Sequence, residues 1–251
     1  MVALSVNVNK IATLRNSRTP QPPDRSAGRP SVPWAAKVCI DAGAPGITVH
    51  PRLDARHITA ADVRELAALW AEHPTVELNI EGDPRPDLLA LAHEVRPTQL
   101  TLVPVVPGEV TSQAGWPPDA TGPALQRAVA DAKAAGMRVS LFVNPTREAV
   151  AWARQTGADR VELFTEPFAR AFERSPAEGE VAMAAYVDAA EHAHALGMGV
   201  NAGHDLDQDN LVLFRSVPHL DEVSIGHALM ADALEVGLAA AVAAYLAVLH
   251  P

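Results

Sequence analysis

One pattern recurs along the chain: an alanine-rich helical run, a glycine, then a short β-branched stretch. It appears as CIDAGAPGITVH, DAKAAGMRVSLFV, ARQTGADRVELF and AHALGMGVNAG. The glycines Gly43, Gly136, Gly157 and Gly197 fall where a helix end needs a residue tolerant of positive φ. The stretches that follow read as strands without polar alternation, which predicts a parallel sheet covered on both faces. Further strand candidates lie at residues 4–8, 76–80, 100–103 and 222–225. Together they make about eight strand–helix units, the number that closes a (β/α)8 TIM barrel with extra helices. An open doubly wound sheet has the same periodicity and stands as the alternative.

A length of 251 residues suits one barrel domain over residues 1–251. The Pro-rich segment 19–33 reads as a long loop after the first strand, because only one strand precedes it. Residues 112–123 and 165–180 read as two more long loops, the last with a short extra helix. Thr59 and Asp62 form a capping-box signature, which puts His57 just before a helix. The single cysteine, Cys39, excludes an internal disulfide and fits a reducing cytoplasm as inert core. A formal charge of −10 argues against nucleic acid as a partner. No basic-then-apolar leader and no bilayer-length apolar run is seen, so the chain is expected to be cytoplasmic and without a membrane partner.

In a barrel, chemistry sits at the C-terminal ends of the strands. The first strand ends in Asn7, Asn9 and Lys10, with Arg15 and Arg18 following; the second in His50, Arg52, Arg56 and His57. The third ends in Glu81, and the fourth leads to Thr111. The sixth carries Glu162, the seventh ends in Asn201 and His204, and the eighth in His227. The runs NAGHDLD and SIGHALMADAL each place Gly–His at a strand-to-helix junction, where backbone amides and the helix dipole favour a phosphate.

Blander uses compete. A lone strand-end histidine is more often structural than catalytic, but four of them converging with a carboxylate point to acid–base chemistry. Glu162 fits either the site or an ion pair between strands. His73, His93, His192, His194, His219 and His250 read as surface or packing residues. Trp34, Trp70 and Trp152 read as helix packing, and Trp116 as a cap on the mouth. No tight metal-ligand spacing and no G-x-S-x-G elbow occurs, so neither a metal nor a cofactor is expected.

VNVNKIATLRNSR, AGAPGITVHPRLDARHIT, LNIEG, VTSQAGW, GVNAGHDL and VSIGHALMADAL together resemble the pyridoxine 5'-phosphate synthase family of vitamin B6 biosynthesis. These motifs run in family order over nearly the whole chain. The resemblance implies a barrel with extra helices and a homo-octamer. It also implies condensation of 1-deoxy-D-xylulose 5-phosphate with 3-amino-2-oxopropyl phosphate, a transferase reaction run by acid–base groups without a metal. His50 and Glu81 match the family's proton acceptors, and His204 its proton donor. Arg52, His57 and Thr111 match positions holding the deoxyxylulose phosphate; Asn7, Arg18, Gly226 and His227 match those holding the aminoketone phosphate.

Three departures stand out. Asn9-Lys10 replaces a frequent Asp-His pair, so Lys10 becomes a candidate phosphate or carbonyl partner. Asp205 replaces the glycine after the donor histidine, where a backbone N–H contact to substrate survives. Phe164-Thr165-Glu166 replaces a frequent H-T-G. Asn9-Lys10 motivates an alternative, a related barrel enzyme acting on another phosphorylated ketone or aminoketone. A non-catalytic phosphometabolite binder is a third possibility, disfavoured by the intact His50, Glu81 and His204.

Overall fold

The computed structural model describes residues 1–18, 20–22, 24–105, 112–120 and 122–251. The chain runs β1 (Ala3–Asn7), α1 (Asn9–Arg18), α2 (Val32–Asp41), β2 (Gly46–Val49), α3 (Ala60–Trp70), β3 (Glu77–Gly82) and α4 (Pro86–Val95). It continues through β4 (Gln99–Leu102), α5 (Pro123–Ala134), β5 (Arg138–Val143), α6 (Arg147–Thr156) and β6 (Arg160–Leu163). The last third holds α7 (Glu166–Arg174), α8 (Pro176–Ala195), β7 (Gly199–Gly203), α9 (Gln208–Phe214), β8 (Leu220–Ile225), α10 (His227–Val236) and α11 (Leu238–Leu249). Neighbouring strands pair in parallel and β1 pairs with β8, so the sheet closes on itself and the open-sheet alternative falls. No helix among the described residues is long and apolar enough to cross a membrane.

The repeat that led to this fold is built as expected. Gly43, Gly136, Gly157 and Gly197 have φ of +100, +86, +100 and +71°. At Gly157 the left-handed residue closes α6 by donating its N–H to Ala153 and Arg154 carbonyls, a conformation strained for any L side chain. Thr59 and Asp62 form the anticipated capping box at α3. Cys39 is buried, and burial pushes its thiol up to about 12.

The expected lack of polar alternation is wrong. Strands β1 to β4 alternate: Leu4 and Val6, Ile47 and Val49, Leu78 and Ile80, Leu100 and Leu102 belong to the buried apolar cluster shared with the helices. The residues between them are polar and buried inside the barrel. There Ser5 Oγ meets Thr48 Oγ1 at 2.7 Å, Asn79 Nδ2 donates to Thr48 Oγ1, and Thr101 Oγ1 donates to Asn79 Oδ1 at 2.9 Å. Gln99 Oε1 accepts from Arg138 Nε and Asn201 Nδ2, and Arg160 Nη1 donates to Asn201 Oδ1. Arg138 also pairs with Glu77, and Arg160 lies 3.5 Å from Glu222. Each such bond contributes only about 1 kcal/mol net, but an unmatched partner costs about 1–3 kcal/mol, so the lattice constrains the lumen more than it stabilises it.

Other expectations also change. Residues 9–18 form α1, so the Pro-rich segment follows a helix instead of a strand, and its last two residues begin α2. Arg15 does not reach the mouth: it is fully buried and forms a two-pronged pair with Asp62 of the α3 capping box, at 2.5 and 2.9 Å. Residues 165–180 are mostly helical, as α7 and the first turn of α8. Trp34 is exposed and packs no helix interface. Trp116 bridges to Val143, donates its indole N–H to the Leu102 carbonyl and meets Trp152 at 6.4 Å, so it wedges a loop against the sheet instead of capping the mouth.

Candidate active site

The C-terminal ends of the strands surround a cavity of ≈ 550 Å³. His50, Glu81, His204, Asn7, Arg52, His57, Asp205, Gly226, His227, Lys10 and Glu162 all line it. Arg18, the last residue of α1, is exposed and stands off this lining. Thr111 lies outside the described residues.

Four side chains from three strand ends form a ring. The His50 backbone N–H donates to Asn9 Oδ1 at 2.9 Å, and the Asn9 N–H donates to Asn7 Oδ1 at 3.1 Å. Asn7 Nδ2 reaches Glu81 Oε2 at 3.4 Å, and that oxygen lies 3.7 Å from His50 Nδ1. The opposite ring nitrogen, His50 Nε2, is buried with no hydrogen-bond partner among the described residues. A buried orphan of this kind on a cavity wall is what a substrate proton requires.

The surroundings set the charge states apart. Burial, helped by His57, Arg52, Arg85 and Arg56, holds His50 well below the usual histidine range and favours the neutral imidazole. Burial pushes Glu81 up to about 7; His204 opposes the rise and Glu222 adds to it. Burial also works against a proton on His204, but the Asp205 carboxylate, 3.1 Å from Nδ1, and Glu81 outweigh it, so its pKa rises. Burial and the arginines at 56 and 52 drive His57 down to about 3. An imidazole held toward its neutral form thus stands with a carboxyl poised near neutrality and an imidazole whose proton is held more tightly than usual, a partition suited to moving protons near neutral pH.

Asp205 differs from its expected use. Its carboxylate holds His204, and its N–H donates to Thr165 Oγ1 at 3.3 Å. Of the two expected phosphate junctions, the strand-seven one is already filled: Asp207 caps α9, accepting from Asp209 and Asn210 amides. The strand-eight junction is open. No side chain among the described residues caps α10, and its first residues, His227 and Ala228, border the cavity beside Gly226. A Cβ at Gly226 would stand 3.1 Å from the Asn7 Cβ, so glycine keeps the two strand ends close.

Glu162 lies inside the barrel, where burial and then Glu81 and Glu222 raise its pKa well above the carboxylate range. No cation pairs with it among the described residues, which favours the site over an ion pair. Sequence reasoning missed Ser224, whose buried Oγ has no partner among the described residues and which lines the cavity. Its position two before Gly226 on the lumen-facing alternation was the available signal. It also missed an apolar wall of Val103, Phe142 and Phe164, with Phe142 set edge-on to His204 at 6.5 Å. His194 and His219 stack 3.7 Å apart outside the cavity lining.

A closed parallel barrel gathers imidazoles and a poised carboxyl at its C-terminal rim, the place where enzymes of this fold carry their chemistry. The sequence profile described as "Pyridoxal phosphate biosynthesis protein PdxJ" matches residues 4–251, and the chain belongs to that family. Proteins named pyridoxine 5'-phosphate synthase are similar throughout. That of Porphyromonas gingivalis is 48% identical over 239 residues, covering 95% of this chain and 94% of its own. That of Albidiferax ferrireducens is 49% identical over 251 residues, covering 97% and 95%. Among solved structures, a protein from Aquifex aeolicus VF5 superposes with a TM-score of 0.65 at 14% identity, covering 100% of this chain and 93% of its own. A 4-hydroxy-2-oxoglutarate aldolase superposes with a TM-score of 0.62 at 19% identity, covering 98% and 94%. These two likenesses speak to the fold alone.

Proposed function

We propose that this chain is a pyridoxine 5'-phosphate synthase, condensing 1-deoxy-D-xylulose 5-phosphate with 3-amino-2-oxopropyl phosphate to pyridoxine 5'-phosphate, phosphate and water. The observation that carries it is the His50–Glu81–His204 arrangement, in which environments of opposite effect separate acceptors from a donor. Imine formation, enolisation, phosphate loss and ring closure all need protons moved near neutral pH. His50 and Glu81 accept them, and His204 returns them. Arg52 and His57, with Thr111, hold the deoxyxylulose phosphate. Asn7, Gly226 and His227 hold the aminoketone phosphate at the open start of α10, with Arg18, at the exposed end of α1, as a further partner. Lys10 and Glu162 contact substrate, and Asp205 acts mainly through His204. The chain works as a single barrel domain in a cytoplasmic homo-octamer, as a transferase that needs no metal.

The test is an assay with both substrates that follows phosphate release and product fluorescence, with and without chelator. Product that survives the chelator is expected; no product at saturating substrate overturns the proposal. Lys10 on the cavity wall, in place of the family's frequent histidine, favours one second reading, a different phosphorylated ketone as substrate. Binding of other sugar phosphates without turnover of deoxyxylulose phosphate is its signature.

A further inference from the structure

The segment carrying His50, Pro51 and Arg52 leaves β2 without regular structure, yet three side chains from other elements pin it. Asn9 Oδ1 holds the His50 N–H at its start. Asn16 Nδ2 reaches the His57 carbonyl at 2.8 Å at its far end. Between them, Arg85 Nη2 donates to the Pro51 carbonyl at 2.5 Å.

Arg85 is well built for holding. It stands four residues after Glu81 in the turn from β3 to α4, between Pro84 and Pro86, with φ −78° and ψ 151°. A residue before proline is restricted to this extended region, so Pro86 leaves its backbone little choice. Its other guanidinium nitrogens are fixed from the same turn: Nη1 by Asp83 Oδ1 at 2.5 Å and Nε by Asp87 Oδ2 at 3.1 Å. The planar fork is thereby oriented, and its Nη2 points at the Pro51 carbonyl. Its side chain is 13% exposed and does not line the cavity, so it acts on substrate only through the segment it holds.

We propose that Arg85 is a positioning residue: by clamping the Pro51 carbonyl to the turn that follows Glu81 at the end of β3, it sets His50 and Arg52, the residues on either side, in place against that carboxyl. This rests on the proposed acid–base site and adds to it a part that touches no substrate. Misplacement of a catalytic group by about 1 Å can cost up to a hundredfold in rate.

The experiment compares Arg85→Gln and Arg85→Lys with the unmodified chain by steady-state kinetics and by hydrogen–deuterium exchange. Arg85→Gln should lower kcat by about tenfold or more with KM changed less than about threefold, and Arg85→Lys, which keeps one charged donor, should recover part of the loss. Exchange should rise in residues 50–57 of Arg85→Gln and stay unchanged in β5 to β8. A kcat within about twofold of the parent overturns the inference, as does exchange that is unchanged at 50–57 or raised evenly through the barrel. If Arg85→Gln does not fold, exchange in Arg85→Lys decides: a rise confined to residues 50–57 is expected, and exchange there that matches the parent overturns the inference. If the unmodified chain turns over neither substrate, the proposed function fails, while the exchange pattern still decides the role of Arg85.

Discussion

Glu81 Oε2 lies 3.7 Å from His50 Nδ1, and the two are driven in opposite directions, the imidazole toward neutrality and the carboxyl up to about 7. Replacing His50 with Asn should lower turnover by about a hundredfold or more, as for a lost acid–base group. Glu81→Gln should do the same and also change the pH profile. The parent's carboxylate forms as pH rises through about 7, so its rate should climb there; the Gln variant should lack that climb. Unchanged rates in both variants would remove the pair from the chemistry.

Asn9 accepts the His50 N–H, so Asn9→Ala should leave a part-buried amide unmatched, at a cost of about 1–3 kcal/mol of stability, and should slow turnover. Asn9→Asp keeps an acceptor at the same place and should retain most of both. Urea unfolding and kcat measured on the two variants test this; an Ala variant that behaves like the parent contradicts it.

Asp205, 3.1 Å from His204 Nδ1, raises the pKa of that imidazole. A donor must be protonated, so activity should decline as pH rises through the His204 pKa. Asp205→Asn removes the carboxylate charge, lowers that pKa and should move the declining limb of kcat to lower pH. A limb that stays in place excludes Asp205 as its cause.

The buried pair between Arg15 and Asp62 joins α1 to the start of α3, with side chains 1% and 0% exposed. Arg15→Met should cost about 3–5 kcal/mol, because it strands Asp62 without its cation. Arg15→Met combined with Asp62→Asn should recover part of that loss in chemical denaturation. An additive double variant rules out the coupling.

Glu222 is buried, and burial raises its carboxyl from 4.5 to about 7 despite Arg160 and Arg138 nearby. The folded state binds this proton more tightly than the unfolded one. The associated stability is therefore complete below about 4.5 and is lost as pH rises through about 7. Glu222→Gln cannot ionise, so it should be more stable than the parent at pH 8, by on the order of 2–3 kcal/mol, and show no advantage at pH 4. Thermal melts at the two pH values check the sign.

Much of the barrel was legible because helix, glycine and strand repeat in order, and the strand-end histidines stood out from apolar runs. The helix α1 was not, because its buried face is Ala12, Arg15 and Asn16 instead of an apolar stripe. The same polarity made Arg15 look like a mouth residue when its partner, Asp62, lies 47 positions away. Alternation was hidden by strand length: with four to six residues per strand, each shows only two or three lumen positions. Arg85 gave no signal, since its role depends on a carbonyl that sequence does not mark. Asp205 was visible, but its orientation toward His204 was a matter of rotamer.

The alternation of the strands divides the labour of the sheet. Its outer positions meet the helices and carry the apolar burial that holds the shell together, while most of its polar inner positions exchange hydrogen bonds within the lumen. A substitution at an inner position that lines the cavity, such as Glu162 or Ser224, therefore alters the cavity wall without touching the helix–sheet face. New specificities should arise in that upper layer of inner positions, with the lattice beneath it as the floor that stays in place.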